Sequence, residues 1–410
     1  MTIALTIFVV SYLVIAFQRL PVLHLGRPAG ALLGAVAMVA FGVLDFDAAL
    51  AAIDLDTILF LLGMMIVLAY LESSGFFEAT EHAILRRATT ARGLLWWTVL
   101  SAGGLSAIFM NDTICLMFTP TLIRVARRLE LPPVPLLIAL AAAANIGSLC
   151  TLLGNPQNAM IATAARIPLL PFAAALAPVS IVGLVGLGGL LSWRYRGAFT
   201  RRRIGNRVWP ETTARQPWIQ VTSLLSVLGM LIALACGARP AAAAMTAAAA
   251  VILCGARRPR EVWPRVDWSL LLFFGGLFVL TRALESAGAA NLMVESIAGP
   301  MAEAGNISLA RFGTAVSLLS QLVSNVPATM LFLPTLQSMS PAVAHPLWLG
   351  LAAFSTLAGN LTILGSAANV IVLEIARKEG VEIGFLEHLA VGVPITLITL
   401  VVAWAWLLWR

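Results

Sequence analysis

The sequence predicts an all-α polytopic membrane protein made of two inverted repeats of about five transmembrane helices, each with a re-entrant helical hairpin and a broken helix. Three observations carry this reading: composition, an internal duplication, and the distribution of arginines. Of 410 residues, 60% are hydrophobic and only 11% charged, and the mean hydropathy is +0.94. Soluble domains hold roughly 45–50% apolar residues, so a water-soluble globule is excluded.

Taken in order, the first apolar run, about 3 to 18, has no basic segment before it and no small-residue cleavage site after it. It reads as the first transmembrane helix rather than a signal peptide. Runs at 29–46 and 57–72 follow, and then a pair at 94–110 and 113–126 with no charged loop between them. Each member of the pair is near or below the roughly 17–25 residues a crossing needs, which predicts a hairpin that enters and leaves on one side. The run 135–165 is interrupted by a Gly-Asn motif, and 170–193 closes the first repeat, residues 1–193. The segment 194–217 carries seven arginines and reads as a basic cytoplasmic linker, with a second repeat over 218–410.

The duplication is visible in three places. "VLAYLESSG" (67–75) returns as "VLTRALESAG" (279–288), "NDTICLMFTPTL" (111–122) as "NVPATMLFLPTL" (325–336), and "TLLGNPQNAMI" (151–161) as "TILGSAANVIV" (362–372). These matches occur in one order at nearly one offset. If the hairpins do not cross, each unit crosses an odd number of times, and the two units lie inverted in the bilayer.

Arginine placement argues for the same topology. With the N-terminus outside, all of the 26 basic residues but Arg166, Arg239, Arg282, Arg311 and Arg410 fall on the inner side, while the acidic segment 45–56 falls outside. This satisfies the positive-inside rule. It predicts a multi-pass protein of the inner (plasma) membrane with both termini periplasmic.

Broken helices leave backbone groups that protein, water or ligand must satisfy. The breaks are "MNDT" (110–113), "GNPQN" (154–158), "SNVP" (324–327) and "GSAAN" (365–369). Half-helix N-termini present free N–H groups and a positive dipole end. The candidate substrate-binding residues are Asn111, Thr113, Asn155, Gln157, Asn158, Ser324, Asn325, Gly365, Ser366 and Asn369, whose amides and hydroxyls supply donors and acceptors. The alternative role for them is helix capping.

Asp112 is the sharpest single residue. A carboxylate near the bilayer centre costs on the order of 3 kcal/mol or more, so it is a candidate proton carrier or cation ligand, or else a cap of the hairpin's returning arm. The sequence offers it no evident basic partner, and its counterpart in the second repeat is Val326. Cys115, one turn on, reads either as a soft-metalloid ligand or as a small buried hydrophobe.

The pattern resembles the ion transporter superfamily, and within it the arsenical pump membrane permeases. The resemblance rests on "LESSGFFE" (71–78), "FMNDTICLMFTP" (109–120), "SNVPATMLFLP" (324–334) and "GNLTILGSAANVIV" (359–372). It implies arsenite or antimonite efflux in exchange for protons by alternating access, with Asp112 as the coupling residue and a cytoplasmic ATPase subunit as a further partner. The competing reading is a proton- or sodium-coupled carrier of another small anion or carboxylate, or a Na⁺/H⁺ antiporter of the same superfamily.

Other classes are disfavoured. The four cysteines lack metal-site spacing and are expected to be buried free thiols. The net charge of +7 is strung through short loops rather than gathered into a nucleic-acid patch. No enzyme motif is present, and no cofactor is expected.

Overall fold

The structure is a computed structural model that describes residues 2–17, 26–199, 216–255, 258–288 and 306–410. All regular elements among them are helical. Most of the basic linker, residues 200–215, lies outside the described residues, as do Arg19 and Arg257.

The first half runs α1 (Thr2–Phe17), α2 (Arg27–Ala40), α3 (Phe46–Ala51), α4 (Leu55–Ser73), α5 (Phe76–Arg87), α6 (Ala91–Ser106), α7 (Asn111–Arg128), α8 (Pro133–Ser148), α9 (Pro156–Ala165) and α10 (Leu169–Arg194). The second runs α11 (Pro217–Ala235), α12 (Pro240–Cys254), α13 (Pro259–Val262), α14 (Trp268–Ser286), α15 (Asn306–Val323), α16 (Asn325–Ser338), α17 (Pro341–Ala358), α18 (Ala367–Lys378) and α19 (Phe385–Trp409). Prolines open α2, α8, α9, α11, α12 and α17, where a missing N–H costs nothing. Aspartates cap α3, α4 and α14 through Asp45, Asp54 and Asp267. The short helices α3, α5 and α13 are additions to the sequence reading, which had merged or passed over them. The position corresponding to α5 in the second half falls at 289–305, outside the described residues.

Five described helices, α4, α10, α11, α14 and α19, are long and apolar enough to cross a membrane unaided. The sequence reading expected about five per half. The difference arises because α2 and α12 begin at Arg-Pro steps and stop after 14 and 15 residues, and because the 135–165 run breaks into α8 and α9. At 1.5 Å per residue α2, α12 and α8 span about 21–24 Å and α9 about 15 Å, less than the roughly 30 Å hydrocarbon core. Large apolar side chains such as Val10, Ile181, Leu225 and Val401 face outward, as a lipid-embedded surface requires.

The two halves interlock by exchange. Helix α4 packs most extensively on α12, and α2 on α14. At the first interface a Cβ on Gly63 would sit 2.6 Å from the Ala244 carbonyl carbon; at the second, one on Gly276 would sit 2.7 Å from that of Ala31. Both interfaces therefore depend on a glycine that lets backbones meet. The hairpin arms follow the same rule: α7 packs on α18 of the other half, and α16 on α9. Matched helices thus make matched cross-half contacts, which places the four short broken segments together in the centre.

Candidate functional site

Four helix N-termini converge on one cavity. Its volume is about 210 Å³, and its walls include Asn111 and Asp112 at the start of α7, Pro156 and Gln157 of α9, Ser324 to Pro327 at the start of α16, and Ser366 and Ala367 at the start of α18. Each of these helices has unpaired N–H groups at its first turn and a positive dipole end. Together they make a pocket that favours negative or oxygen-rich groups.

The first hairpin turns at residues 107–110 and the Asn111 backbone N–H donates to the Gly154 carbonyl at 2.9 Å. This fastens the hairpin tip to the break before α9. The Asn111 side chain donates to Asn145 Oδ1 at 3.1 Å. In turn Asn145 Nδ2 points at Asn360 Oδ1 (2.9 Å), Ser366 Oγ (3.0 Å) and Asn369 Oδ1 (3.1 Å). Two N–H groups are shared among three acceptors, all buried, and they join the tip of the first half to the break of the second. Asn145 is the hub of this network, and the sequence reading missed it. The Asn111 Oδ1 has no hydrogen-bond partner in the protein although the residue is 4% exposed. A buried acceptor left open beside a cavity is costly unless something donates to it.

The breaks themselves are braced alike. Asn158 Nδ2 donates to the Ser148 and Thr151 carbonyls at 3.1 and 3.0 Å, and Asn369 Nδ2 to the Gly359 and Thr362 carbonyls at 2.8 and 3.0 Å. Asn155 Oδ1 caps α9 through the Asn158 N–H, and Ser366 Oγ caps α18 through the Asn369 N–H. A Cβ at Gly365 would lie 2.8 Å from the Gly359 carbonyl oxygen, so that glycine permits the tight return. These hydrogen bonds satisfy the backbone groups that a broken helix exposes.

The cavity walls include Asn111, Asp112, Gln157, Ser324, Asn325 and Ser366 but not Thr113, Asn155, Asn158, Gly365 or Asn369. The asparagines of this second group shape the breaks; they do not face the cavity. Cys115 is wholly buried away from it, which the metalloid-ligand reading had not anticipated. The expectation of four buried thiols also needs correction: Cys236 and Cys254 are exposed and Cys150 half-buried, because they sit at helix ends rather than within the packed interior. Among the described residues no cluster of three His, Cys, Asp or Glu side chains is placed to hold a metal.

At the second hairpin tip Ser324 has φ 74° and ψ 164°, a region that non-glycine residues rarely adopt and that stores about 1–3 kcal/mol. Asn325 Oδ1 accepts from Ser320 Oγ at 2.7 Å, and Ser320 also donates to the Ser355 carbonyl. The strained turn is held from below by α15 and α17.

Charge enters from the α2 and α14 ends. Arg27 and Asp267 line the same cavity as Asp112, and Arg27 is the cation that acts on Asp112 electrostatically, with Asp267 the neighbouring anion. The sequence offered Asp112 no basic partner because Arg27, 85 positions earlier by numbering, reads there only as a topogenic charge. On the far side lies a second, wider cavity of about 940 Å³, with Asp54, Asp56, Arg239, Arg282, Met160 and Met330 on its walls. Gln157 and Met160 are one turn apart on α9, and Pro327 and Met330 one turn apart on α16. The linings of the two cavities thus come within one helical turn of each other on α9 and α16.

Comparison with known proteins agrees with this architecture. The family described as citrate transporter, CitMHS, matches residues 12–354. The silicon efflux transporter LSI3 of Oryza sativa subsp. japonica is 29% identical, with 95% of this chain and 94% of the relative covered. An uncharacterized transporter of Mycobacterium tuberculosis is 31% identical over 98% of this chain and 96% of its own length, and the putative transporter arsB of Dictyostelium discoideum is 24% identical over 97% and 89%. The crystal structure of the Alcanivorax borkumensis YdaH transporter, described as having an unusual topology, matches with a TM-score of 0.55 at 17% identity over 99% of this chain and 96% of that one, which shows a shared fold. The sequence reading reached the right superfamily and chose a narrower branch than these relatives define. A match across more than four-fifths of the sequence, on a fold of interlocked halves with paired breaks, shows that the chain belongs to the CitMHS citrate transporter family of the ion transporter superfamily.

Proposed function

We propose that this transporter exports a small uncharged polyhydroxide, arsenous or antimonous acid foremost, in exchange for protons carried by Asp112. The observation that carries the reading is the convergence of four helix N-termini on a cavity that also holds one carboxylate of the first hairpin. Backbone N–H groups and the Gln157 and Asn325 amides suit hydroxyl oxygens, while Asp112 and the open Asn111 Oδ1 accept from hydroxyl protons. A tricarboxylate such as citrate fits this charge pattern poorly. Against three carboxylates the cavity sets a single arginine, Arg27, and two further carboxylates, Asp112 and Asp267.

The rice relative's name supports the same substrate chemistry, since dissolved silicon is an uncharged tetrahydroxide. That makes silicic acid the second candidate. We read the two halves as inverted repeats that rock about the cavity, with the Arg27 and Asp267 end facing the cytoplasm and the Asp54 and Arg239 end facing outward. The ion pairs sort by end in keeping with this orientation: Arg265 with Glu72 and Arg127 with Glu379 on one, Arg239 with Asp56 and Arg282 with Glu285 on the other.

Everted vesicles carrying the protein, given an inside-acid pH gradient, are expected to accumulate arsenite. Antimonite and silicic acid, each added in excess, should compete in the order that they fit the cavity. Absence of arsenite, antimonite and silicic acid accumulation alike would overturn the substrate class.

A further inference from the structure

The two mouths of the transport route carry matched charges. Helix α2 starts with Arg27-Pro28 and α12 is entered through Arg239-Pro240; facing them, Asp267 caps α14 and Asp54 caps α4. Because α2 packs on α14 and α12 on α4, each arginine stands at the same end as the aspartate cap of its partner helix. At the wider mouth the contact is made: Arg239 Nη2 lies 3.4 Å from Asp56 Oδ2, two residues beyond the Asp54 cap. At the other mouth Arg27 and Asp267 share the walls of the central cavity. There the hairpin carboxylate Asp112 joins the pair, a charge whose counterpart in the other half is Val326; the wider mouth carries Arg166, Arg282 and Glu285 besides its own pair.

We propose that Arg27 is the coupling residue of this carrier: it exchanges between Asp112 and Asp267, and its move to Asp267 latches the inner mouth shut, as Arg239 and Asp56 latch the outer one. The proposal rests on the reading of Asp112 as the exchanged-proton site. When Asp112 is ionised and empty, it draws Arg27 away from Asp267 and the inner mouth stays open. A proton on Asp112 removes the attraction and frees Arg27 for Asp267, and a solute hydroxyl donating to Asp112 competes with Arg27 for the carboxylate without discharging it. Either cargo therefore releases the latch to close, whereas the empty ionised carrier stays open to the inside, which is what obligatory exchange demands. Asp112 from α7 and Asp267 from the start of α14 line the cavity with Arg27, and Asp112 and Glu374 of α18 are the carboxylates that act on Arg27 electrostatically.

The test is the accessibility of the inner mouth, read without any transported solute. Ser269, exposed on the cavity wall beside Asp267, is replaced by cysteine in a chain whose Cys150, Cys236 and Cys254 are serine. Its labelling from the cytoplasmic side by a membrane-impermeant thiol reagent is followed between pH 5 and 8, normalised to the unfolded protein to cancel thiol chemistry. The expected result is a labelling rate at least threefold higher at pH 8 than at pH 5. Asp112→Asn should hold the slow rate throughout. Arg27→Gln should be fast throughout, and Arg27→Lys should keep a reduced pH response. A flat profile in the parent, or an unaltered profile in Arg27→Gln that is monodisperse by gel filtration, would overturn the latch; should Arg27→Gln fail to fold, Arg27→Lys with an unaltered profile does the same. Parallel arsenite counterflow separates the two ideas. A retained pH response without arsenite transport defeats the substrate reading alone, and arsenite transport with a flat labelling profile defeats the latch alone.

Discussion

At the scale of single residues, the site is held by buried amides whose cost is repaid only by complete partnering. Asn145 joins four side chains from both halves. Asn145→Ala strands the Asn111 amide and the Asn360 and Asn369 side-chain oxygens, each unsatisfied group costing about 1–3 kcal/mol; Ser366 Oγ keeps the Asn369 N–H. The expected outcome is a melting temperature lowered by several degrees in detergent and transport reduced at least tenfold; unchanged melting would show that water replaces the amide without loss. Ser324 makes an opposite case. Its left-handed φ suits glycine, so Ser324→Gly should raise thermal stability by about 1 kcal/mol. A lower melting temperature would mean that the hydroxyl holds the tip. Asn145 was hidden in the sequence because a lone Asn within "ALAAAANIGS" belongs to no motif and matches nothing at the repeat offset. Its one available signal was a single amide in an otherwise apolar helix just before a break.

At the scale of elements, close backbone approach decides the packing of the paired helices. Gly63→Ala and Gly276→Ala each push a Cβ into the opposing main chain, and overpacking of this kind costs about 1–3 kcal/mol. Both should lower the melting temperature comparably, whereas Gly275→Ala, with open space around its Cβ position, should not. Unequal effects of the first two would argue against equivalent interfaces. The short helix α5, which is not among the apolar spans, gives a pH dependence. Glu81 is 6% exposed there and desolvation raises its carboxyl to about 7, against a lowering by the Thr121 hydroxyl and Arg124. A folded value above the ordinary 4.5 means that the native state holds the proton more tightly, so stability falls as pH rises from about 4.5 to 7. Glu81→Gln should abolish that decline in a melting series from pH 4 to 8.

The breaks ahead of α7, α9, α16 and α18 were legible because each is written as local sequence: a short step containing Asn, Gly or Ser inside an apolar run. The partner exchange between halves was not, since no local feature states which helix α4 or α2 will face. Residue roles divided along the same line. Asn111, Asp112, Gln157, Ser324, Asn325 and Ser366 reached the cavity because they sit at the first turn of a half-helix. Asn158 and Asn369, each the third residue of its helix, bend back to brace the loop carbonyls instead.

At the scale of the whole molecule, the chain holds two cavities whose linings come within one helical turn of each other on α9 and α16, with opposed charge pairs at the two mouths. We propose that such a molecule moves solute by rocking its interlocked halves, with the direction of net movement set by what Asp112 carries. The most direct measurement is arsenite flux in everted vesicles for the parent and Asp112→Asn, with and without an imposed pH gradient. The account expects Asp112→Asn to lose gradient-driven accumulation at least tenfold, since an amide fills the wall but holds no exchangeable proton, and to slow counterflow at zero gradient as well, since its inner mouth stays latched. Gradient-driven accumulation that survives the substitution would contradict it.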